Sequence, residues 1–230
     1  GALMILNAGL LFDAQRTRSA VGKAAEEAAK PAEISFTLVK PQDCKECFDA
    51  ATALNSLQGS NVNVKEQKIL TQGEDAANTL IAQYAITRLP AVVVQGDTEK
   101  LLLKIPALSQ AGEVKDKVLV MTKFPPPYFD LALKAVKGLL KVTYITASAC
   151  KDCYDVQLHK LALGNLGITP SKETTVSQGS SAGDKIISTY GITKLPTVVL
   201  TGDIEEYGIL EQIWSSVGSI AKDGAYVFTA

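Results

Sequence analysis

The chain has 230 residues, of which 47% are apolar and 20% charged, with 23 Lys and Arg against 24 Asp and Glu. That length suits one large domain or two of roughly 100–150 residues, and the apolar fraction excludes wholesale disorder. A formal net charge of −1, evenly spread, excludes the basic face that holds nucleic-acid phosphates or acidic lipid.

In chain order, residues 1–30 read as an N-terminal helix and linker. Ala2 to Phe12 is apolar except at Asn7, too short for the roughly 18 residues that span a bilayer. Gly1-Ala2 reads as an expression scar. The segment is taken as the opening of an amphipathic helix. The tail of a membrane anchor is the other reading, and it points to a membrane-tethered, extracytoplasmic protein, with a cytoplasmic one as the alternative. Asp13 to Lys30 is rich in Ala, Lys and Glu, and Lys23 to Lys30 has the pattern of a solvated helix face.

Ile34–Val39 is a short β-branched run, hence a strand. Cys44 and Cys47 open a helical stretch through Leu57, and Asn61–Leu70 carries the next strand. Asp75–Tyr84 has Leu80, Ile81 and Tyr84 at helical spacing. Leu89-Pro90 then steps into a buried strand at Ala91–Val94 that ends on a Gly-Asp turn.

The whole pattern recurs. Cys44-Lys-Glu-Cys47-Phe-Asp aligns with Cys150-Lys-Asp-Cys153-Tyr-Asp at an offset of 106 residues. Tyr84 to Asp97 aligns with Tyr190 to Asp203 at the same offset, with 9 of 14 positions identical. Two separated motifs at one offset mark a tandem duplication. The second copy repeats the strand at Val142–Thr146, a helix through Gly164, the strand at Thr169–Val176, the helix at Ala182–Tyr190 and the strand at Thr197–Leu200. A further strand and a closing helix, clearest at Ile209–Ile220, complete a β-α-β-α-β-β-α order. Pro125-Pro126-Pro127 is a stiff connector, and Phe129-Asp130 echoes Phe12-Asp13 as the start of a helical stretch. The expected domains are 31–124 and 125–230.

This order, with a Cys-x-x-Cys after the first strand and a Pro before the third, resembles the thioredoxin superfamily over roughly residues 31–124 and 139–230. Two such units in one chain resemble the archaeal protein disulfide oxidoreductases, or a minimal protein disulfide isomerase. The resemblance implies an α/β fold of two tandem thioredoxin-like domains, each a central mixed sheet flanked by helices, with an extra N-terminal helix. It implies that Pro90 and Pro196 are cis and face the cysteines across a substrate groove. The implied activity is dithiol–disulfide exchange with protein clients, without a cofactor and with electrons from a separate redox protein or small thiol. Three features depart from the family pattern. Asp43 and Ala149, not Trp, precede the motifs. Lys-Glu and Lys-Asp separate the cysteines. Leu38 and Tyr144 stand where thioredoxins keep a buried acid.

A cysteine at a helix start has its thiol pKa lowered from about 8.5 into roughly 3.5–7.5. On that logic Cys44 and Cys150 attack, while Cys47 and Cys153 resolve the mixed disulfide. Lys45 and Lys151 favour the thiolate, whereas Glu46 and Asp152 oppose it. Asp43 adds an acid that the second site lacks, so Cys150 is expected to have the lower pKa and the more oxidising disulfide. Two other readings compete: a redox-inactive client-binding module, and a soft-metal protein using four thiolates. No metal is assigned, because each pair has its own Leu-Pro partner. His159, the sole histidine, is read as a surface residue and Trp214 as core. No phosphate-binding Gly-rich loop is present.

Overall fold

A computed structural model describes residues 29–55 and 60–230. The helix expected over residues 1–30 lies outside them except at its end, as do Phe12 and Asp13.

The first copy supplies β1 (Ala32–Lys40), α1 (Ala50–Asn55), β2 (Val62–Thr71), α2 (Asp75–Tyr84), β3 (Arg88–Leu89) and β4 (Ala91–Gly96). It ends with α3 (Thr98–Lys104), α4 (Leu108–Ala111), β5 (Gly112–Lys115) and β6 (Val118–Met121). A hairpin of β7 (Tyr128–Asp130) and β8 (Ala135–Lys137) follows. The second copy supplies β9 (Leu140–Thr146), α5 (Leu158–Asn165), β10 (Lys172–Ser177), α6 (Ser181–Tyr190), β11 (Thr197–Gly202), α7 (Gly208–Val217), β12 (Gly218–Ile220) and β13 (Tyr226–Phe228). Among the described residues, no helix is long and apolar enough to cross a membrane.

Each copy builds one five-stranded sheet, ordered β2-β1-β4-β6-β5 and β10-β9-β11-β13-β12. In the second, β10 runs parallel to β9, while β11, β13 and β12 pair antiparallel. The second-first-third strand order with antiparallel additions is the thioredoxin-like arrangement, a mixed sheet flanked by helices. A third, three-stranded sheet joins β3, β7 and β8.

By contact density the described chain divides into two compact units. One takes in the chain up to Leu38, Ala50–Leu70 and Ala91–Met121. The other takes in Val39–Asp49, Thr71–Pro90 and everything from Thr122 onward, so both cysteine pairs belong to the second unit. In the first unit Ile34, Phe36 and Leu38 alternate into the core, and Ala91–Val94 is buried throughout. In the second, Val142, Tyr144, Val198 and Leu200 pack with Leu163, Leu210 and Trp214. Ile145, Val199 and Val227 point the other way, against Ile186, Ile187 and Tyr190 of α6. Period-2 alternation thus assigns the two sheet faces to different helices.

Two expectations are corrected. The helix does not close each copy; it precedes the last two strands, giving β-α-β-α-β-α-β-β. Gly218 explains this in the second copy. A Cβ there would strike the Val227 carbonyl oxygen and the Trp214 ring, so the chain leaves the helix extended and Trp214 Nε1 donates to Ser219 O at 3.1 Å. The stretch at Phe129-Asp130 is a strand, not a helix. The Asp130 carboxylate accepts the N–H groups of Ala132 and Leu133 at 2.9 and 2.8 Å, and Lys134 takes φ 51°. This Asx turn reverses the chain.

The copies share two turn devices. Gly96 and Gly202 take φ 105° and 106°, and a Cβ on either would meet the backbone carbonyl of Glu33 or Leu139. The following aspartates tie the turn to the first strand: Asp97 accepts from Glu33 N at 3.2 Å, and Asp203 from Gly138 N at 2.9 Å. At the end of α2 and α6, Ile86 N donates to Ile81 O and Ile192 N to Ile187 O, each at 2.9 Å. The left-handed residue between is Ala85 in one copy and Gly191 in the other, at φ 51° and 61°. A left-handed residue other than glycine costs about 1–2 kcal/mol, partly offset by the unfolded-state entropy of glycine. Ala85→Gly should therefore stabilise by about 0.5–1 kcal/mol and Gly191→Ala should destabilise by a similar amount. Urea midpoints check both, and opposite signs would contradict the cap geometry.

Candidate active sites at the two cysteine pairs

Both pairs are disulfides, Cys44–Cys47 at 2.02 Å and Cys150–Cys153 at 2.05 Å. Neither sits at a helix start. Residues 150–153 follow a turn in which Cys150 N donates to Ala147 O at 3.0 Å, and α5 begins only at Leu158. Asp155 causes the delay: its carboxylate accepts Gln157 N at 2.9 Å and its carbonyl accepts Leu158 N at 3.0 Å. The orphan N–H groups of the helix thus find Asp155, and a helix dipole acts only within its first turn. In the first copy α1 starts at Ala50. The helix dipole expected from the motif therefore does not reach Cys44 or Cys150. Local charge is left to act on the thiolates, from Asp43, Lys45, Glu46, Lys151 and Asp152, all exposed.

At the second site Cys150 is exposed and Cys153 half-buried. Cys153 Sγ lies 3.8 Å from the Leu195 carbonyl oxygen. Leu195–Pro196 is a cis peptide bond. The Tyr154 hydroxyl donates to Pro196 O at 3.0 Å and also meets His159 Nε2 at 3.0 Å. A hydroxyl has one proton, so with that proton on Pro196 O, Nε2–H of His159 donates to the Tyr154 oxygen. His159 is no bare surface residue. Its ring packs edge-on against Phe228 at 4.4 Å between centroids, and burial lowers its pKa from the usual 6.5. Desolvation likewise raises the pKa of Tyr154.

At the first site Cys44, Cys47, Lys40, Phe48 and Pro90 line an open cleft of about 260 Å³, and Leu89–Pro90 is also cis. Phe48, the counterpart of Tyr154, stacks on Phe124 at 5.4 Å, and its N–H donates to Pro127 O at 2.9 Å. Arg88 Nε donates to Thr122 O at 2.7 Å, and its guanidinium lies 4.8 Å over the Tyr128 ring. Leu38 is fully buried; Tyr144 is buried with its hydroxyl donating to Glu173 at 3.2 Å, and burial, with the Glu173 charge and hydrogen bond, pushes its pKa up to about 12. Among the described residues no three His, Cys, Asp or Glu side chains gather as a metal site.

No family model and no curated protein matches the chain. Solved structures similar to it include the following three. The alkylhydroperoxide reductase AhpF from Enterococcus faecalis is 12% identical, over 76% of this chain and 85% of its own, with a TM-score of 0.24. The N-terminal domain of that reductase, solved separately, is 13% identical over 80% and 92%, with a TM-score of 0.22. A protein disulfide oxidoreductase from Aeropyrum pernix is 15% identical over 81% and 83%, with a TM-score of 0.19. The thioredoxin-like fold here rests on strand order and site placement, not on these superpositions.

Sequence reasoning gave Tyr154 no role, read His159 as a surface residue and took Pro125-Pro126-Pro127 only as a connector. One signal was present: both motifs continue with an aromatic residue and Asp. Because the folded pKa of His159 lies below the unfolded value near 6.5, the unfolded chain binds more protons as pH falls through that range. Stability should hold above pH 6.5 and decline below it, and His159→Gln should flatten that decline. As the sole histidine, His159 gives one imidazole NMR titration. A midpoint above 6.5 would contradict its burial.

Proposed function

We propose that this protein is a thiol–disulfide oxidoreductase that exchanges disulfides with protein clients through Cys44–Cys47 and Cys150–Cys153. The reading is carried by one observation: a Cys-x-x-Cys disulfide beside a Leu-Pro segment, built twice in one chain. Pro90 and Pro196 are assigned to the client groove.

In the oxidising direction a client thiolate attacks the outer sulfur, Cys44 or Cys150, and Cys47 or Cys153 leaves as thiolate. A second client thiolate then attacks the client's own sulfur in the mixed disulfide, and the outer cysteine leaves. The client loses two electrons and the protein gains two, with protons passing to solvent. The reducing direction reverses each step. Cys150 is the exposed sulfur of its pair, which supports its role as the attacked atom. Re-oxidation or re-reduction falls to a separate redox protein or a small thiol–disulfide couple. The acid at Asp43, absent at Ala149, supports a more oxidising disulfide at Cys150.

A redox titration in glutathione and dithiothreitol buffers, with each pair quantified by alkylation and mass spectrometry, tests this directly. Both pairs should switch reversibly between roughly −120 and −270 mV, the range of dedicated thiol–disulfide proteins, with Cys150–Cys153 at the higher potential. Asp43→Ala should move the first pair toward the second. Failure of either pair to form a disulfide in any buffer would remove that site from the proposal. If Cys44→Ser with Cys150→Ser left client binding and activity intact, a redox-inactive binding module would replace it.

A further inference from the structure

We infer that His159 is a positioning residue of the second site: it holds the Tyr154 hydroxyl on the Pro196 carbonyl, and the anchored tyrosine keeps Cys153 within reach of Cys150. The inference rests on the disulfide-exchange reading above.

Residues 150–153 lie ahead of α5, which begins at Leu158. No helical ladder therefore fixes the spacing of the two cysteines once their bond opens, and tethers must do so. Cys153 Sγ and the Tyr154 hydroxyl lie against consecutive carbonyls, Leu195 O at 3.8 Å and Pro196 O at 3.0 Å. A phenol has one proton, and the bond to Pro196 O uses it. The phenol oxygen can then only accept, and the His159 Nε2–H, 3.0 Å away, donates to it. The other neutral tautomer would draw the tyrosine proton away from Pro196. The imidazole is itself placed by Phe228, edge-on at 4.4 Å. Phe228 O accepts from Thr197 Oγ1 at 2.6 Å, and Thr197 follows Pro196 in the chain. The contacts thus close a circuit from Pro196 through Thr197, Phe228, His159 and Tyr154 back to Pro196.

The duplication supplies the comparison. At the 106-residue offset the first copy has Phe48 for Tyr154, Ala53 for His159 and Ala91 for Thr197. Val93 pairs with Val120 as Val199 pairs with Val227, so Met121 stands for Phe228. The exchange at the aromatic position thus carries three others with it, and each removes the group that makes the contact. The cysteines, the Leu-Pro step and the Gly-Asp turn are the same in both copies. The circuit is therefore a device of the second site, laid on a frame common to both. Its effect on the chemistry follows from chain connectivity. A dithiol closes according to the effective concentration of one thiol at the other. Tyr154 is the residue after Cys153, so anchoring its hydroxyl narrows the positions open to the Cys153 sulfur. Loss of the anchor favours the open dithiol. The tie works against the charge effect of Asp43 on the ranking of the two pairs, so its removal should widen the gap between their potentials.

The test equilibrates the full chain in one glutathione buffer, then alkylates it and reads each cysteine pair by mass spectrometry. In that equilibrium two glutathione thiols become one glutathione disulfide, while the Cys150–Cys153 bond breaks and takes up two electrons and two protons. Tyr154→Phe, the residue the first copy already carries, should lower the oxidised-to-reduced ratio of Cys150–Cys153 at least threefold. His159→Leu, which keeps an apolar contact for Phe228 but donates nothing, should do the same. Because His159 acts through Tyr154, the double variant should fall no further than the larger single effect. His159→Gln, whose side-chain amide can donate the same bond, should keep the ratio within twofold of that of the unsubstituted chain. Cys44–Cys47, read in the same samples, should not move. No shift in the single variants, additive shifts in the double variant, failure of the glutamine to rescue, or a shift of both pairs together would overturn the inference. If neither pair of the unsubstituted chain formed a disulfide in any buffer, the oxidoreductase reading itself would fall instead.

Discussion

The register of the third strand on the first decides where the cysteines work. In the second copy Thr197 faces Ile145 and Gly202 faces Leu140, which puts Leu195-Pro196 one step beyond the sheet, beside the loop carrying Cys150 and Cys153. A one-residue slip would turn Val198 and Leu200 to the wrong face and carry Pro196 away from Tyr154. The register is held at both ends. Gly202 permits a turn that its neighbour's backbone crowds, and Asp203 clamps that turn to Gly138 and Leu139. At the other end the Tyr154 hydroxyl and Cys153 sulfur meet the Leu195-Pro196 backbone. The first copy repeats the turn with Gly96, Asp97 and Glu33.

On that shared frame the two sites have diverged through one aromatic position. The Phe48 side chain has no polar atom, so its ring stacks on Phe124, while its backbone N–H donates to Pro127 O. Tyr154 has a hydroxyl, and it recruits the Pro196 carbonyl and His159 instead. Around the first site Arg88, Tyr128 and Glu206 extend the connector's anchorage. The Tyr128 hydroxyl donates to Glu206 at 2.8 Å, and Lys137 lies 3.8 Å from the same carboxylate. The exposed members of such a network contribute little individually. Its weight lies in fixing where the β7–β8 hairpin sits.

The absence of a helix at either Cys pair shifts the control of thiol chemistry to side chains and carbonyls. Cys153 Sγ lies 3.8 Å from the Leu195 carbonyl oxygen, whereas Cys150 is exposed.

The duplication, the two Cys-x-x-Cys motifs and most of the strands were legible in the chain alone. These rest on local periodicity and on repetition at a fixed offset; α2 spans Asp75–Tyr84, as its apolar spacing indicates. Only tertiary structure decided the rest, because the deciding contacts join residues far apart in sequence. The ring that half-buries His159 is Phe228, and the close approach that ends α7 at Gly218 comes from Val227. Phe129 and Asp130 are strand residues because Arg88 and Leu89 offer them a hydrogen-bonding edge. A short polar-apolar segment has no strong preference of its own, so the edge it meets in the folded chain sets its conformation.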